Sequence, residues 1–403
     1  MSRSVCRLAS ALAASATLAA ADWPQFLGPN RDGHSADRVL VSGWLERGLR
    51  ERWRQPVGEG YSSVVAVGER LYSMDADGAS EFVFARRASD GGELWRVRMG
   101  ASPRDLYGGP GPRVAPTFDR GVLYLTTAEL ALVAMRAEDG TLLWSRSLRE
   151  EMGARPPAEG SAAAVLVEGE RVFAAVGGPG GRSAAAFDRG SGRLLWSALD
   201  DRASYSSPVA LTLGARRQVL FLTATHLRAL DPETGTLLWS HDWPTHDGVN
   251  VATPLPVAPD RVFVSAGYDQ GALLLQVRPS ASGFLATEVW RSKVMKNHFN
   301  NCVLHGARLY GFDNFLLRAV DASTGQVAWT ERGFGKGSLI VAADHLIVLG
   351  EDGELALLRP DPARAEVRAR QLVLDGTCWT PPSLAGGRLY LRNAREMVAL
   401  EPR

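Results

Sequence analysis

Only three lysines occur in this 403-residue chain, against 42 arginines among its 45 basic residues. They are Lys293, Lys296 and Lys336, and the last two fall inside short polar runs. A lysine kept where arginine serves everywhere else suits a place that needs a compact ammonium and has no room for a planar fork. The two runs are Lys296-Asn297-His298-Phe299-Asn300-Asn301-Cys302 and Lys336-Gly337-Ser338. Similar runs recur as Tyr61-Ser62-Ser63, Arg113-Val114-Ala115-Pro116-Thr117, Tyr205-Ser206-Ser207-Pro208, Asn250-Val251-Ala252-Thr253-Pro254 and Cys378-Trp379-Thr380-Pro381-Pro382. Arg113, Lys296, His298 and Lys336 could hold an anion. Asn250 and Asn300 could donate and accept hydrogen bonds, Trp379 could stack on a ring or simply pack, and Tyr61 and Tyr205 complete the candidate set near the rim. The serines and threonines have an equal second reading, as partners for backbone groups at strand starts.

Nothing in the chain marks covalent or metal chemistry. It contains no His-Glu-x-x-His, Cys-x-x-Cys, Gly-x-Ser-x-Gly or phosphate-cradling glycine loop. His241 and His246 flank Asp242 and Asp247, but in a turn-like segment with Pro244. Cys302 and Cys378 read as buried free thiols, because no pairing follows from sequence. The metal set is therefore empty and the catalytic residues are unassigned.

The elements that must position these runs are repeats. The phrase Ala-x₅-Gly-x₃-Trp occurs at Ala85–Trp95, Ala134–Trp144, Ala186–Trp196, Ala229–Trp239 and Ala319–Trp329. With Trp53 and Trp290, successive tryptophans lie 39 to 52 residues apart, the length of one four-stranded propeller blade. In the last three copies Asp188, Asp231 and Asp321 can start the turn, and the glycine supplies positive φ. A second repeat, a tight turn then Arg and an aromatic or aliphatic pair, occurs eight times, from Gly68-Glu69-Arg70-Leu71-Tyr72 to Gly387-Arg388-Leu389-Tyr390. The expectation is an all-β, eight-bladed propeller. Seven blades is the alternative, because the stretch 337–375 has no tryptophan. The phrase is split between the ends, with Ala399 last and Trp53 near the start, so an N-terminal strand should complete the final blade and leave no long edge open.

In such a ring the polar runs, each just before an inner strand, would converge on one mouth of the central channel, a concave funnel of the kind that binds ligands. The remaining segments are a leader over 1–21 (Arg3 and Arg7, apolar Leu8–Leu18, small Ala19–Ala21), an arm over 22–48 and the propeller over 49–403. The leader's apolar run is too short to span a membrane, so the chain is expected to be periplasmic or secreted. Removing Arg3 and Arg7 leaves 43 basic against 44 acidic residues. That balance argues against nucleic acid as a partner. The expectation is a monomer that binds a small anionic or polyhydroxylated ligand, or a protein partner.

The Ala-x-Asp-x-x-Thr-Gly-x-x-x-Trp phrase resembles the repeat of the pyrroloquinoline-quinone (PQQ) propeller superfamily. The chain is most similar to secreted bacterial PQQ-like β-propeller repeat proteins. The segments Trp23–Gly33, Val249–Pro254, Met295–Phe299, Gly335–Leu339 and Leu374–Pro382 carry the likeness. The resemblance implies two outcomes. One is a non-enzymatic scaffold, like the eight-bladed outer-membrane assembly lipoprotein. The other is a quinoprotein alcohol or sugar dehydrogenase that holds PQQ with Ca²⁺, an Asp base, a channel-floor Trp and often an adjacent Cys-Cys pair. This chain has no adjacent cysteines, and no Glu/Asn/Asp set maps onto the calcium and base positions. The binding scaffold is therefore the expected function and the quinoprotein oxidoreductase the alternative.

Overall fold

The turn chemistry of the repeats builds eight antiparallel sheets arranged as a propeller. The computed structural model describes residues 22–102, 109–158, 160–281 and 283–403. The expected leader, 1–21, lies outside the described residues. Each sheet follows chain order from a short inner strand to an outer strand, as in Leu166–Glu168, Arg171–Gly178, Arg182–Asp188 and Leu194–Ala198 of the third blade. The eighth blade is composite. Its strands Ser383–Ala385, Arg388–Arg392 and Glu396–Pro402 take their outer partner, Leu49–Pro56, from the N-terminal side. Trp53 stands opposite Ala399 in that pairing, so the two halves of the split phrase meet in one sheet.

The phrase works between blades. Trp53, Trp95, Trp144, Trp196, Trp290 and Trp329 each donate their indole N–H to a backbone carbonyl of the next blade, at 3.0–3.2 Å. For all of these except Trp329, the glycine of that next blade lies under the indole. A Cβ on Gly192 would stand 2.6 Å from Trp144, and one on Gly235 would stand 2.6 Å from Trp196. Both glycines also have positive φ (68° and 72°), so two separate constraints select the same residue. Trp239 differs: its indole N–H bonds Gln218 Oε1 of its own blade at 2.6 Å. The fifth blade has no Gly-turn phrase to receive it, because Gly271–Ser280 runs almost directly into Gly283–Ser292.

The stretch without tryptophan is a full blade, Ser338–Ala342, His345–Leu349, Glu354–Pro360 and Ala365–Leu372, which settles the count at eight. Aliphatic packing replaces the indole there. Ile340, Ile347, Leu349, Leu355 and Leu357 are fully buried against the eighth blade. Cys302 and Cys378 are buried free thiols, and burial raises both pKa values, Cys378 to about 12.

Residues 22–38 run along one end of the channel. Asp22 accepts from the Gly68 N–H in a turn of the first blade. Trp23 bridges to Ala66 on the first inner strand, and Pro24 accepts from Phe118 of the second. His34–Ser35 then pairs in parallel with the seventh inner strand, and Asp37 accepts from Gly387 of the eighth blade. The helix Val39–Arg47 follows and delivers the chain to the outer strand of that blade. Trp23 folds over Gly28, where a Cβ would lie 2.8 Å from the ring.

Replacing Gly192 with Ala forces a Cβ into Trp144 at an unfavourable φ, whereas Gly169 has the same handedness (φ 59°) and open space around it. Overpacking costs about 1–3 kcal/mol on top of a left-handed penalty of about 1 kcal/mol. Urea unfolding should therefore show Gly192→Ala less stable than Gly169→Ala by at least about 1 kcal/mol. Equal losses would mean that the indole seat does not select glycine.

Candidate functional site

Antiparallel succession puts the turns between first and second strands at one end of the ring and the blade-to-blade loops at the other. The arm occupies the turn end. The loop end opens into a cavity of about 1050 Å³ to which every blade-to-blade loop contributes. Phe26 and Leu27, from the arm, also line this cavity. The channel is thus a cup with a floor.

Arg31 anchors that floor. It is buried, and its guanidinium donates to Gln25 Oε1 (2.8 Å), Pro208 O (3.0 Å), Thr117 Oγ1 (3.2 Å) and Val165 O. These groups belong to the arm and to the second, third and fourth blades. None is a carboxylate, and among the described residues Arg31 forms no ion pair. Burial lowers its pKa to about 9, which leaves it cationic at neutral pH. Leu27 and Arg31 both adopt positive φ (61° and 58°), strain that only a tightly held segment sustains.

Seven of the nine residues singled out from the sequence line the cup: Tyr61, Arg113, Tyr205, His298, Asn300, Lys336 and Trp379. Two do not. Asn250 is fully buried, where its Oδ1 accepts from the Trp243 indole (3.1 Å) and its Nδ2 donates to Thr223 O (2.8 Å). It braces the loop leading into the fifth blade. Lys296 lies outside the lining. Its ammonium is 3.4 Å from Asp269 and 3.8 Å from Asp313, and these carboxylates offset its charge.

Sequence reasoning missed Arg202, His246, Tyr268 and Phe299, which also line the cup, along with the floor residues. Arg202 was one of 42 arginines with nothing to distinguish it. Tyr268 had a signal: the run Gly267-Tyr268-Asp269-Gln270-Gly271 reads as a turn, and the turn holds Tyr268 and Asp269 at φ 50° and 59°.

The side chains divide the cup into two halves. One wall is aromatic. Ring centroids follow at 5.1 Å (Tyr61–Trp379), 4.7 Å (Trp379–Phe299), 5.2 Å (Phe299–His298) and 4.7 Å (His298–Tyr268). Lys336 sits at this wall. Its ammonium is 3.1 Å from His298 Nδ1 and 5.4 and 5.3 Å from the Phe299 and Phe315 ring centres. Among the described residues no carboxylate pairs with it. Glu351 lies behind the wall, where it accepts from the Trp379 indole (2.9 Å) and the Lys336 backbone N–H (3.0 Å). Arg113 and Arg202 arrive on loops from the other side of the ring. Among the described residues the lining therefore carries three cations against one carboxylate, Asp247, which is 3.2 Å from His246.

This donor set suits an anion with a ring face. It does not suit a calcium ion, which takes six to eight oxygens rich in carboxylate. Among the described residues no three His, Cys, Asp or Glu side chains come together as a metal site.

A family profile described as "Outer membrane protein assembly factor BamB" matches residues 79–331. No curated protein matches the sequence. BamB from Moraxella catarrhalis superposes with a TM-score of 0.61 at 16% identity, covering 88% of this chain and 97% of its own. Quinohemoprotein alcohol dehydrogenase from Comamonas testosteroni gives 0.63 at 13% identity, covering 94% and 80%. A europium-containing methanol dehydrogenase gives 0.54 at 10%, covering 94% and 98%. At these identities the structural likeness speaks for the fold.

His298 reports on the wall. Desolvation, then the Lys336 ammonium, pulls its pKa down to about 4, so the ring is neutral at pH 7 and accepts from Lys336 through Nδ1. The unfolded chain protonates this ring near pH 6.5. The stability it contributes is thus complete above pH 6.5 and is lost as pH falls through 4. An NMR titration should place the His298 midpoint well below 6 and move it upward in Lys336→Met. A midpoint near 6.5 in both proteins would contradict the arrangement.

Proposed function

This chain belongs to the family of the outer membrane protein assembly factor BamB, and we propose that it is an exported binding propeller whose cup takes a small anionic ligand. One observation carries the reading: among the described residues, three cations stand against a single carboxylate in an arm-floored cavity, and the Lys336 ammonium is paired to a neutral histidine and to no acid. A charged concave mouth with low-dielectric walls raises the local concentration of the opposite charge. Export rests on the basic and apolar leader of the sequence. No described helix is long and apolar enough to cross a membrane.

PQQ is implied by the wider superfamily, and the fit to this lining is partial. Its carboxylates match the cations and its rings match Trp379. Among the described residues no carboxylate set fits the calcium ion of the dehydrogenases, and the carboxylate that touches the aromatic wall, Glu351, has both oxygens engaged by the Trp379 indole and the Lys336 backbone N–H. No oxidation step is therefore assigned to this chain. Two exposed aromatics, Tyr268 (48%) and Phe315 (57%), flank the mouth and favour a second reading, in which a protein partner docks over the cup.

Titration with PQQ, used as a planar tricarboxylate, should quench tryptophan fluorescence saturably and more weakly at high salt. Lys336→Ala should weaken binding at least tenfold while the protein stays folded, its stability falling by no more than about 1–2 kcal/mol for the lost His298 and aromatic contacts. Unchanged affinity, or unfolding without a binding defect, would make Lys336 structural and remove the anion-binding reading.

A further inference from the structure

The rings of the aromatic wall do not share a plane. Successive interplanar angles are 40° (Tyr61–Trp379), 50° (Trp379–Phe299), 53° (Phe299–His298) and 61° (His298–Tyr268). A flat polycyclic ligand can lie against only one such ring. A chain of pyranose units turns from one unit to the next, and each unit offers its own C–H face to the electron-rich face of a ring. The tilted series is therefore shaped for several sugar units in succession. A cavity of about 1050 Å³, at the upper end of small-ligand pockets, has room for more than one.

Polar groups complete the picture. Ser338 is buried and lines the cup, and its Oγ has no hydrogen-bond partner among the described residues. A buried hydroxyl without a partner is costly. Asn301, also in the lining, has its Oδ1 engaged by the Thr253 N–H at 2.7 Å. The Lys336 cation stands within the aromatic wall, and Arg113 and Arg202 stand across from it. The apolar floor, Phe26 and Leu27, closes the far end, so a long polymer cannot thread the ring.

Resting on the anion-binding reading above, we infer that the cup recognises the terminal units of an acidic oligosaccharide. Sugar faces lie along Tyr61, Trp379 and Phe299, and carboxylates meet Lys336 and the opposing arginines. Closure of the floor makes this recognition of a chain end, with the remaining units leaving through the mouth past Tyr268.

Calorimetry on the full-length exported protein tests this with trimers of galacturonate, mannuronate and guluronate, with neutral maltotriose, and with PQQ. At least one uronate trimer should bind. Maltotriose should bind at least tenfold more weakly. Lys336→Met, which keeps the alkyl stem against the phenylalanines, and Phe299→Leu should each weaken the uronate at least fivefold while keeping the wild-type melting temperature within a few degrees. Binding of PQQ with no uronate binding would overturn the saccharide assignment and leave the anion cup standing. Equal binding of maltotriose would overturn the requirement for acid. Failure of every probe would overturn both readings.

Discussion

An indole seated on a glycine of the neighbouring blade is the contact on which this molecule depends. It joins sheets that share almost no backbone hydrogen bonds. Six of the seven tryptophans of the blade repeat reach across to the next blade's carbonyl, each adding a hydrogen bond worth about 1 kcal/mol to large apolar burial. The contact is directional: outer strand of one blade, glycine turn of the next. Repetition of one directional contact closes a ring. Trp53 shows why the chain ends are where they are. It sits on Gly91 of the first blade while its own strand completes the eighth. The eighth-to-first interface is therefore made like most of the others, and the composite blade fastens the N-terminal strand to the C-terminal one.

Ring closure alone gives a tube. The arm gives it a floor. It crosses from the first blade to the eighth, and its buried Arg31 draws together carbonyls of the third and fourth blades with a hydroxyl of the second. A second buried guanidinium, Arg392, is held wholly by neutral groups, among them Met74 O (2.7 Å) and Gly60 O (3.0 Å), and burial lowers its pKa to about 10. Arg31 has no ion-pair partner among the described residues, so its charge adds to that of the lining residues Arg113, Arg202 and Lys336, whereas the buried Asp75 carboxylate offsets part of the charge of Arg392. The near-neutral balance of the whole chain conceals this local excess.

The sequence made the ring legible because most blades repeat local physics: an Asp or Gly turn, a small residue in a close strand, an indole at a fixed distance. Blade entrances were legible for the same reason, and ring symmetry then gathered Tyr61, Arg113, Tyr205, His298, Asn300, Lys336 and Trp379 onto one cavity. Pairings that depend on side-chain direction did not follow. Lys296 and Lys336 occupy the same kind of run, yet Lys296 turns to Asp269 and Asp313, neither of which is near it in sequence. Asn250 is polar and at a strand entrance, but the Trp243 indole needs an acceptor and claims it. The floor was illegible because Phe26 and Leu27 reach the cup only once the arm is laid across a channel that eight separate blades must first create.

The central claim is that the loop end of the arm-floored channel is where this protein binds. A crystal structure with a bromine-substituted aromatic carboxylate tests it directly, because anomalous scattering locates the bromine without reference to any assumed pose. The account predicts a peak inside the cup, above Phe26 and Leu27 and between Trp379 and Lys336, with the arm undisturbed. A peak confined to the outer rim of the blades, or one found only where the arm has left the channel, would contradict it.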